Sequence, residues 1–364
     1  MKIALVILHA DPARGGAERY TVDLAGALAR RGHVVHLLAQ SFAEMPAGVM
    51  PILMPSAMTR TLSYRRLLRG VDAQLDRGGY DVVHAMLPVN RCDVYHPHAG
   101  MAAAAMKKSN RFFNLRRMAM ARVEHSLMSS PKPPVILALS EYVKRTIRQY
   151  YPAADERLAT LFNAVNLDRF DPVLRPETRN VMRERFSIEP DKVVALMIAQ
   201  DFERKGLREA IAATAEIADP RLVLLVVGRG RTEPYHDLAG DSGIEDRVIF
   251  AGPTHDPFSF YAAADFFILP TRHDPCSLVV LEALAMGLPV ISTVYNGATE
   301  IMTNGTHGFI ASDPRDIDTL AAYVRRMLTP SDRQQMSIAC LELRRRLSYE
   351  THLNELLRIY ATAR

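Results

Sequence analysis

The chain has 364 residues, 48% apolar and 23% charged, with a formal net charge of +5 and no tryptophan. At roughly 150 residues per domain this gives two or three domains, each able to bury its own core. Disorder, collagen and a disulfide scaffold are excluded by composition, and no apolar run reaches the roughly 18 residues of a membrane-spanning helix.

In chain order, residues 2–8 (KIALVIL) form a short apolar run that predicts a buried parallel strand. A glycine-containing loop leads to a helix over 17–31, stopped at Gly32, and a strand over 34–39. Further strands are predicted over 81–85 (DVVHA) and 135–139 (VILAL). After Pro172 the pattern restarts. Strands are expected over 193–198, 222–227, 248–250, 266–269 and 289–292, with helices over 207–217 and 277–286 among them. This is an α/β fold of two successive doubly wound, Rossmann-like units. The expected domains are 1–170 and 171–348, with a linker near 167–177, where Pro172 and Pro176 interrupt the apolar pattern. A last helix, about 349–364, is expected to pack back on the first domain. Two such units facing across a cleft would place ligands beyond the carboxyl ends of their strands.

Charge divides unevenly between the halves. Residues 1–170 hold 23 Lys and Arg against 13 Asp and Glu; the remainder holds 22 against 27. A basic first half suits a polyanion, whether nucleic acid, anionic lipid or phosphorylated glycan. Cys92, Cys276 and Cys340 are odd in number and far apart, which fits a reducing cytoplasm. The apolar start is short and continues into Gly15-Gly16, which argues against a cleaved secretory signal.

The loops after the strands carry the candidate chemistry. Gly15 and Gly16 precede the first helix, where backbone N–H groups can approach an anion. No GxGxxG is present, which disfavours a dinucleotide dehydrogenase. Arg204-Lys205-Gly206 follows the strand VVALMIA, and two adjacent cations there can grip a diphosphate. The segment 270–300 places Asp274 in a loop, Ser277 at a helix opening and Glu282 inside that helix. Amides around Ser277 and Leu278 can bind phosphate oxygens, and a carboxylate further along can accept from the vicinal hydroxyls of a ribose. Asp274 could do the same for a hexose.

Taken together, these segments resemble the retaining family-4 glycosyltransferases of GT-B fold, and within them the lipopolysaccharide core glucosyltransferase I group. The resemblance rests on GGAERY (15–20), NAVNLDRF (163–170), FERKG (202–206), VVGRG (226–230), VIFAG (248–252) and the Asp274–Glu282 segment. It implies that Glu282 holds the donor ribose and Asp274 contacts the transferred sugar. It places Arg204 and Lys205 on the donor diphosphate and Gly16 in the loop that closes over phosphates and acceptor. The stretch 248–252, with Phe250 at its centre, would read the base through its backbone. His98 would lie beside the transferred sugar, with His96 as the alternative because the HPH register is ambiguous. Two residues depart from the family pattern: Asp274 stands where glutamate is usual, and Ser277 where glycine is usual.

The implied reaction is transfer of a hexose, glucose first, from a nucleotide-diphosphate sugar to a glycan or lipid-linked glycan. UDP-glucose is the first donor suggested, with GDP- and ADP-linked sugars used across such folds. No cofactor or metal is expected. Asp316-Ile317-Asp318 has DxD spacing but reads as a helix cap, and His96-x-His98 lacks a third ligand. Lys205→Ala and Glu282→Ala are expected to cut transfer with folding intact. Residues 107–122 interleave Lys107, Lys108, Arg111, Arg116, Arg117 and Arg122 with Phe112, Phe113, Leu115, Met118 and Met120. That pattern suits an anionic membrane surface and a peripheral position on the inner face of the cytoplasmic membrane. No nucleic-acid module accompanies it. A nucleotide-sugar 2-epimerase and a noncatalytic sugar-nucleotide-binding subunit are the competing readings.

Overall fold

The computed structural model describes residues 1–98, 100–107 and 114–363. It divides into two compact units: Met1–Asn163 with the C-terminal segment from Tyr349, and Ala164–Ser348.

In the first unit the strands are β1 (Lys2–Val6), β2 (Val34–Ala39), β3 (Val49–Leu53), β4 (Val82–Ala85), β5 (Val94–Tyr95), β6 (Val135–Ala138) and β7 (Leu158–Thr160). They pair in parallel in the order β3-β2-β1-β4-β5-β6-β7. Its helices are α1 (Gly16–Arg30), α2 (Arg60–Gly78), α3 (Ala102–Lys107), α4 (Leu115–Met128) and α5 (Glu141–Tyr150). Central strands are buried on both faces, which is why KIALV reads as an unbroken apolar run. One core layer joins Ala4, Val6, Leu38, Val83 and Ala85 of the sheet to Tyr64, Leu67, Leu68 and Val71 of α2. Thr59 caps α2 and Ser140 caps α5 through their hydroxyls.

In the second unit the strands are β8 (Val193–Ala199), β9 (Leu222–Gly228), β10 (Val248–Gly252), β11 (Phe266–Ile268), β12 (Val290–Thr293) and β13 (Gly308–Ala311). Their order is β10-β9-β8-β11-β12-β13, again parallel. Its helices are α6 (Arg175–Arg185), α7 (Phe202–Lys205), α8 (Leu207–Ala215), α9 (Glu233–Asp241), α10 (Pro257–Ala263), α11 (Leu278–Ala285), α12 (Ile317–Met327), α13 (Pro330–Glu342) and α14 (Arg344–Leu347). The chain then returns to the first unit as α15 (Tyr349–Thr362), which packs on α1.

Both sheets reverse direction of growth beside their first strand, between β1 and β4 and between β8 and β11. Such a switch point splays the following loops apart and leaves a crevice at the strands' carboxyl ends. The loops after β8 and β11 are those that carry Lys205 and Asp274.

Two expectations need correction. The boundary falls at Asn163/Ala164, not at 170/171. The segment after Asn163 is tied to the second unit: Val165 N donates to the Leu347 carbonyl, Arg169 to the His255 carbonyl, and Phe170 meets Tyr261 edge-on at 5.8 Å. The stretch 167–177 is also not a plain linker. Pro172 opens a short 3-10 turn (Pro172–Leu174), and Pro176 lies in the first turn of α6, where its missing N–H costs no helical bond.

Candidate active site

In the second unit the site grows from the turn after β8. Asp201 caps α7 by accepting from Arg204 N at 3.2 Å, and the helix ends after one turn at Gly206. Gly206 has φ +83°, and a Cβ there would lie 2.2 Å from the Pro270 carbonyl oxygen. Only glycine permits this approach, which brings α7 against the loop after β11. The Arg204 carbonyl accepts from Arg272 N at 2.9 Å and from Thr271 Oγ1 at 3.2 Å, stitching the two loops together.

The expected cationic pair divides its work. Lys205 is half-buried and its ammonium is paired with Asp274. Arg204 turns to Asp201 Oδ2 (3.0 Å) and donates from Nη1 to the His273 carbonyl (2.7 Å). An ammonium carries three N–H donors, so Lys205 can hold Asp274 and still reach an anion. Both partners of the Lys205–Asp274 pair are nearly dry, at 12% and 10% side-chain exposure. Removing the lysine alone would strand a buried carboxylate, which costs folding stability as well as ligand affinity. The expectation that Lys205→Ala leaves folding intact is therefore revised.

Asp274 is fixed at its backbone, accepting from Gly297 N at 3.0 Å and donating to the Tyr295 carbonyl at 2.9 Å. Asn296, fully buried, accepts from Ser277 N (3.3 Å) and Ala298 N (3.1 Å) and donates to Ser292 Oγ (3.2 Å). It thereby sets where α11 begins. Ser277 is the N-cap of α11, yet its hydroxyl makes no cap bond and has no partner among the described residues, although only 4% of the residue is exposed. Leu278 opens the helix, and Glu282 lies one turn on, buried, accepting from the Tyr261 hydroxyl at 2.8 Å. Asn296 and Tyr261 carry no motif of their own and were not singled out from the sequence.

The edge strand β10 holds Phe250, half-buried, with its ring 4.2 Å from His236. A cavity of about 700 Å³ opens beside the β8 and β9 ends, lined by Asp201, Phe202, Arg208, Arg231, Tyr235 and Arg272 among others. It borders the α7 turn; Lys205, Asp274 and Glu282 are not among its lining residues. Asp316 caps α12, accepting from Thr319 N and Oγ1, as its helix-opening position suggested.

In the first unit Gly15 is the N-cap of α1, extended at φ 170°, and Gly16 is the first helical residue. Glu18 stands in that first turn, its pKa raised by burial. The loop after β5 delivers His96 and His98, and β4 delivers His84. All three are buried; the His96 and His98 rings lie 4.1 Å apart, and Tyr20 lies 4.4 Å from His98. His84 bonds the Tyr360 hydroxyl through Nδ1 at 2.7 Å and His96 Nδ1 through Nε2 at 3.3 Å. His352 Nδ1 faces the Phe162 carbonyl at 2.9 Å, which can only accept. Nδ1 therefore carries the proton, and Nε2 accepts from the Tyr20 hydroxyl at 2.8 Å. Burial pushes the His98 imidazole down to about 3 and His352 to about 4, and holds His84 and His96 well below the usual histidine value. The cluster is neutral at pH 7. Among the described residues, no three His, Cys, Asp or Glu side chains form a metal-binding group.

Of residues 107–122, α3 ends at Lys107 and α4 begins at Leu115, so Lys108, Arg111, Phe112 and Phe113 lie outside the described residues. On α4, Leu115, Arg117 and Arg122 are exposed and Arg116 is partly buried. Among the described residues no helix is long and apolar enough to cross a membrane.

Two Rossmann-like parallel sheets in one chain, each with its switch-point loops loaded with polar groups, define the GT-B class of glycosyltransferase. Residues 14–169 match the family model Glycosyltransferase Family 4, and residues 178–351 match Glycosyl transferases group 1. The chain belongs to the family-4 glycosyltransferases. It is 25% identical over 325 residues, 87% of each chain, to the lipopolysaccharide glucosyltransferase WaaG of Escherichia coli (strain K12). The crystal structure of a WaaG, a glycosyltransferase involved in lipopolysaccharide biosynthesis, matches with TM-score 0.81 over 94% of this chain and 95% of that one, at 24% identity. A D-inositol 3-phosphate glycosyltransferase of Thermobifida fusca (strain YX) is 26% identical, covering 100% of this chain and 93% of its own. Anabaena Alr3699/HepE, solved in complex with UDP-glucose, shares the fold at TM-score 0.77 and 17% identity over the whole of both chains.

Proposed function

We propose that this glycosyltransferase moves a hexosyl group, glucose first, from a nucleoside-diphosphate sugar to a glycan or lipid-linked glycan, with retention of anomeric configuration and without a divalent ion. The reading draws on the WaaG relationship for lipopolysaccharide-type acceptors and on the UDP-glucose complex of HepE for the donor. The observation that carries it is the assembly of Lys205, Asp274, Ser277 and Glu282 around one helix start at the switch point of the second sheet.

In this scheme Glu282 accepts hydrogen bonds from the ribose hydroxyls, while Asp274 orients a hexose hydroxyl. Lys205 and the first amides of α11 face the diphosphate, with Arg204 held nearby by Asp201. The C1–O bond to the diphosphate breaks, and its electron pair leaves with the phosphate oxygen. Fixed positive charge stabilises that oxygen as it forms. The acceptor oxygen bonds to C1 from the face the diphosphate vacates, and its proton passes to the departing phosphate. His98, neutral and buried, is the residue of the first unit assigned to the transferred sugar.

The test is incubation of the purified chain with UDP-glucose and a truncated lipopolysaccharide core in the presence of EDTA, with proton NMR of the new anomeric centre. An α-linked product formed despite the chelator is expected. A β-linked product, or no product until a divalent ion is restored, would overturn the mechanism. The basic segment 107–122 extends the proposal to an anionic membrane surface at the cytoplasmic face, where such an acceptor would be presented.

A further inference from the structure

Glu282 is held by a residue that no motif marks. Tyr261, in the last turn of α10, is fully buried, and its hydroxyl donates to Glu282 Oε2 at 2.8 Å and to the Val279 carbonyl at 3.1 Å. Both acceptors belong to α11, so a single phenol proton bridges the start of that helix to its carboxylate. Burial, together with the adjacent carboxylate, drives the phenol well above its ordinary value. The hydroxyl keeps its proton and serves as the donor.

The position of Tyr261 is itself fixed. Helix α10 has seven residues, too few for stability of its own. Arg175, Arg179 and Arg183 stand four apart on α6, and therefore on one face. Arg179 donates to the Ala263 and Ala264 carbonyls at 3.0 and 2.9 Å, Arg183 to Ala263 at 3.1 Å, and Arg175 to Ala264. These belong to the carbonyls that a helix end leaves without an internal donor. Arg179 and Arg183 also grip Asp265 at 2.7 Å each, and Asp265 Oδ2 accepts from Val194 N of β8 at 2.7 Å. The last turn of α10 is thus pinned to the central strand of the sheet.

We propose that Tyr261 is a positioning residue for donor recognition, its hydroxyl setting the orientation in which the Glu282 carboxylate meets the ribose 2′ and 3′ hydroxyls. This rests on the reading of Glu282 as the ribose-holding residue. A glutamate side chain has several rotatable bonds, and fixing its carboxylate beforehand removes an ordering cost from the binding step.

The test is isothermal titration with UDP, GDP and ADP, each compared with its 2′-deoxy form. Wild type prefers the ribonucleotide, and Glu282→Ala abolishes that preference. Tyr261→Phe keeps the ring packed against Phe170 and Phe267 and removes only the hydroxyl. It raises the ribonucleotide Kd about tenfold, as loss of one hydrogen bond to a charged group implies, and changes the 2′-deoxy Kd by less than about threefold. A structural defect would weaken both forms alike. If Glu282→Ala abolishes the preference and Tyr261→Phe retains it, the role of Tyr261 is overturned while the reading of Glu282 stands. If Glu282→Ala retains the preference, or no nucleotide binds the wild type, both are overturned.

Discussion

Acid should unfold the first unit selectively. His84, His96, His98 and His352 are buried there as neutral imidazoles, packed with Tyr20 and Tyr360. A histidine whose folded pKa is depressed takes up its proton more readily in the unfolded chain. Its stabilising effect is complete above the unfolded pKa, near 6.5, and is lost as pH falls below it toward the folded value. For His98 and His352 that window runs from 6.5 down to about 3 and about 4. Each proton bound only by the unfolded state costs about 1.4 kcal/mol per pH unit. At pH 5 these two histidines remove about 4 kcal/mol, and His84 and His96, shifted in the same direction by burial, add to the loss. A domain's whole stability is about 5–15 kcal/mol. The chain has no tryptophan to report unfolding, so hydrogen exchange read by mass spectrometry on separate peptides is the assay. Corrected for intrinsic exchange, protection of β4 and α15 should collapse between pH 6.5 and 5. The second unit, where His307 is lowered by burial, should lose less. Equal protection of β4 and α15 at pH 7.5 and pH 5 would refute the reasoning.

Three further outcomes are expected, the first two from the geometry and the third from the basic segment 107–122. Gly206→Ala forces a side chain onto the Pro270 carbonyl at positive φ, so stability should fall by more than about 1 kcal/mol and UDP affinity with it, as read by thermal melting and titration. Lys205→Ala should lower the melting temperature by leaving Asp274 buried and unpaired, at a cost of about 3 kcal/mol, whereas Lys205→Met with Asp274→Asn should recover most of that loss. In vesicle flotation the chain should rise with anionic liposomes and not with neutral ones; equal recovery would remove the membrane from the proposal.

The centre of each sheet was legible because parallel strands buried on both faces read as continuous apolar runs, as in KIALV and VVALMIA. The edges were not. β3 (VMPIL) is largely exposed and has a proline within it, tolerable only at an edge, and β7 is three residues long. Helix α6 (RPETRNVMRER) is too polar to announce itself; its arginines make sense only once the α10 carbonyls they hold are in place. Lys205, Asp274, Ser277 and Glu282 were visible because chemistry and spacing coincided in short segments. Asn296 and Tyr261 were not, since their roles depend on which strand and helix come to lie beside α11. That the lysine would be locked on Asp274, while Arg204 turned away to Asp201, is likewise a tertiary fact.

The central claim is that fixed positive charge on the second unit grips a nucleoside diphosphate with no divalent ion. It is tested most directly by titrating UDP in EDTA into the wild type and into the Lys205→Met, Asp274→Asn variant, whose net charge is unchanged. The account predicts that the wild type binds under chelation and that the variant loses at least about tenfold in affinity. Binding abolished by EDTA, or a variant that binds UDP as well as the wild type, would contradict it.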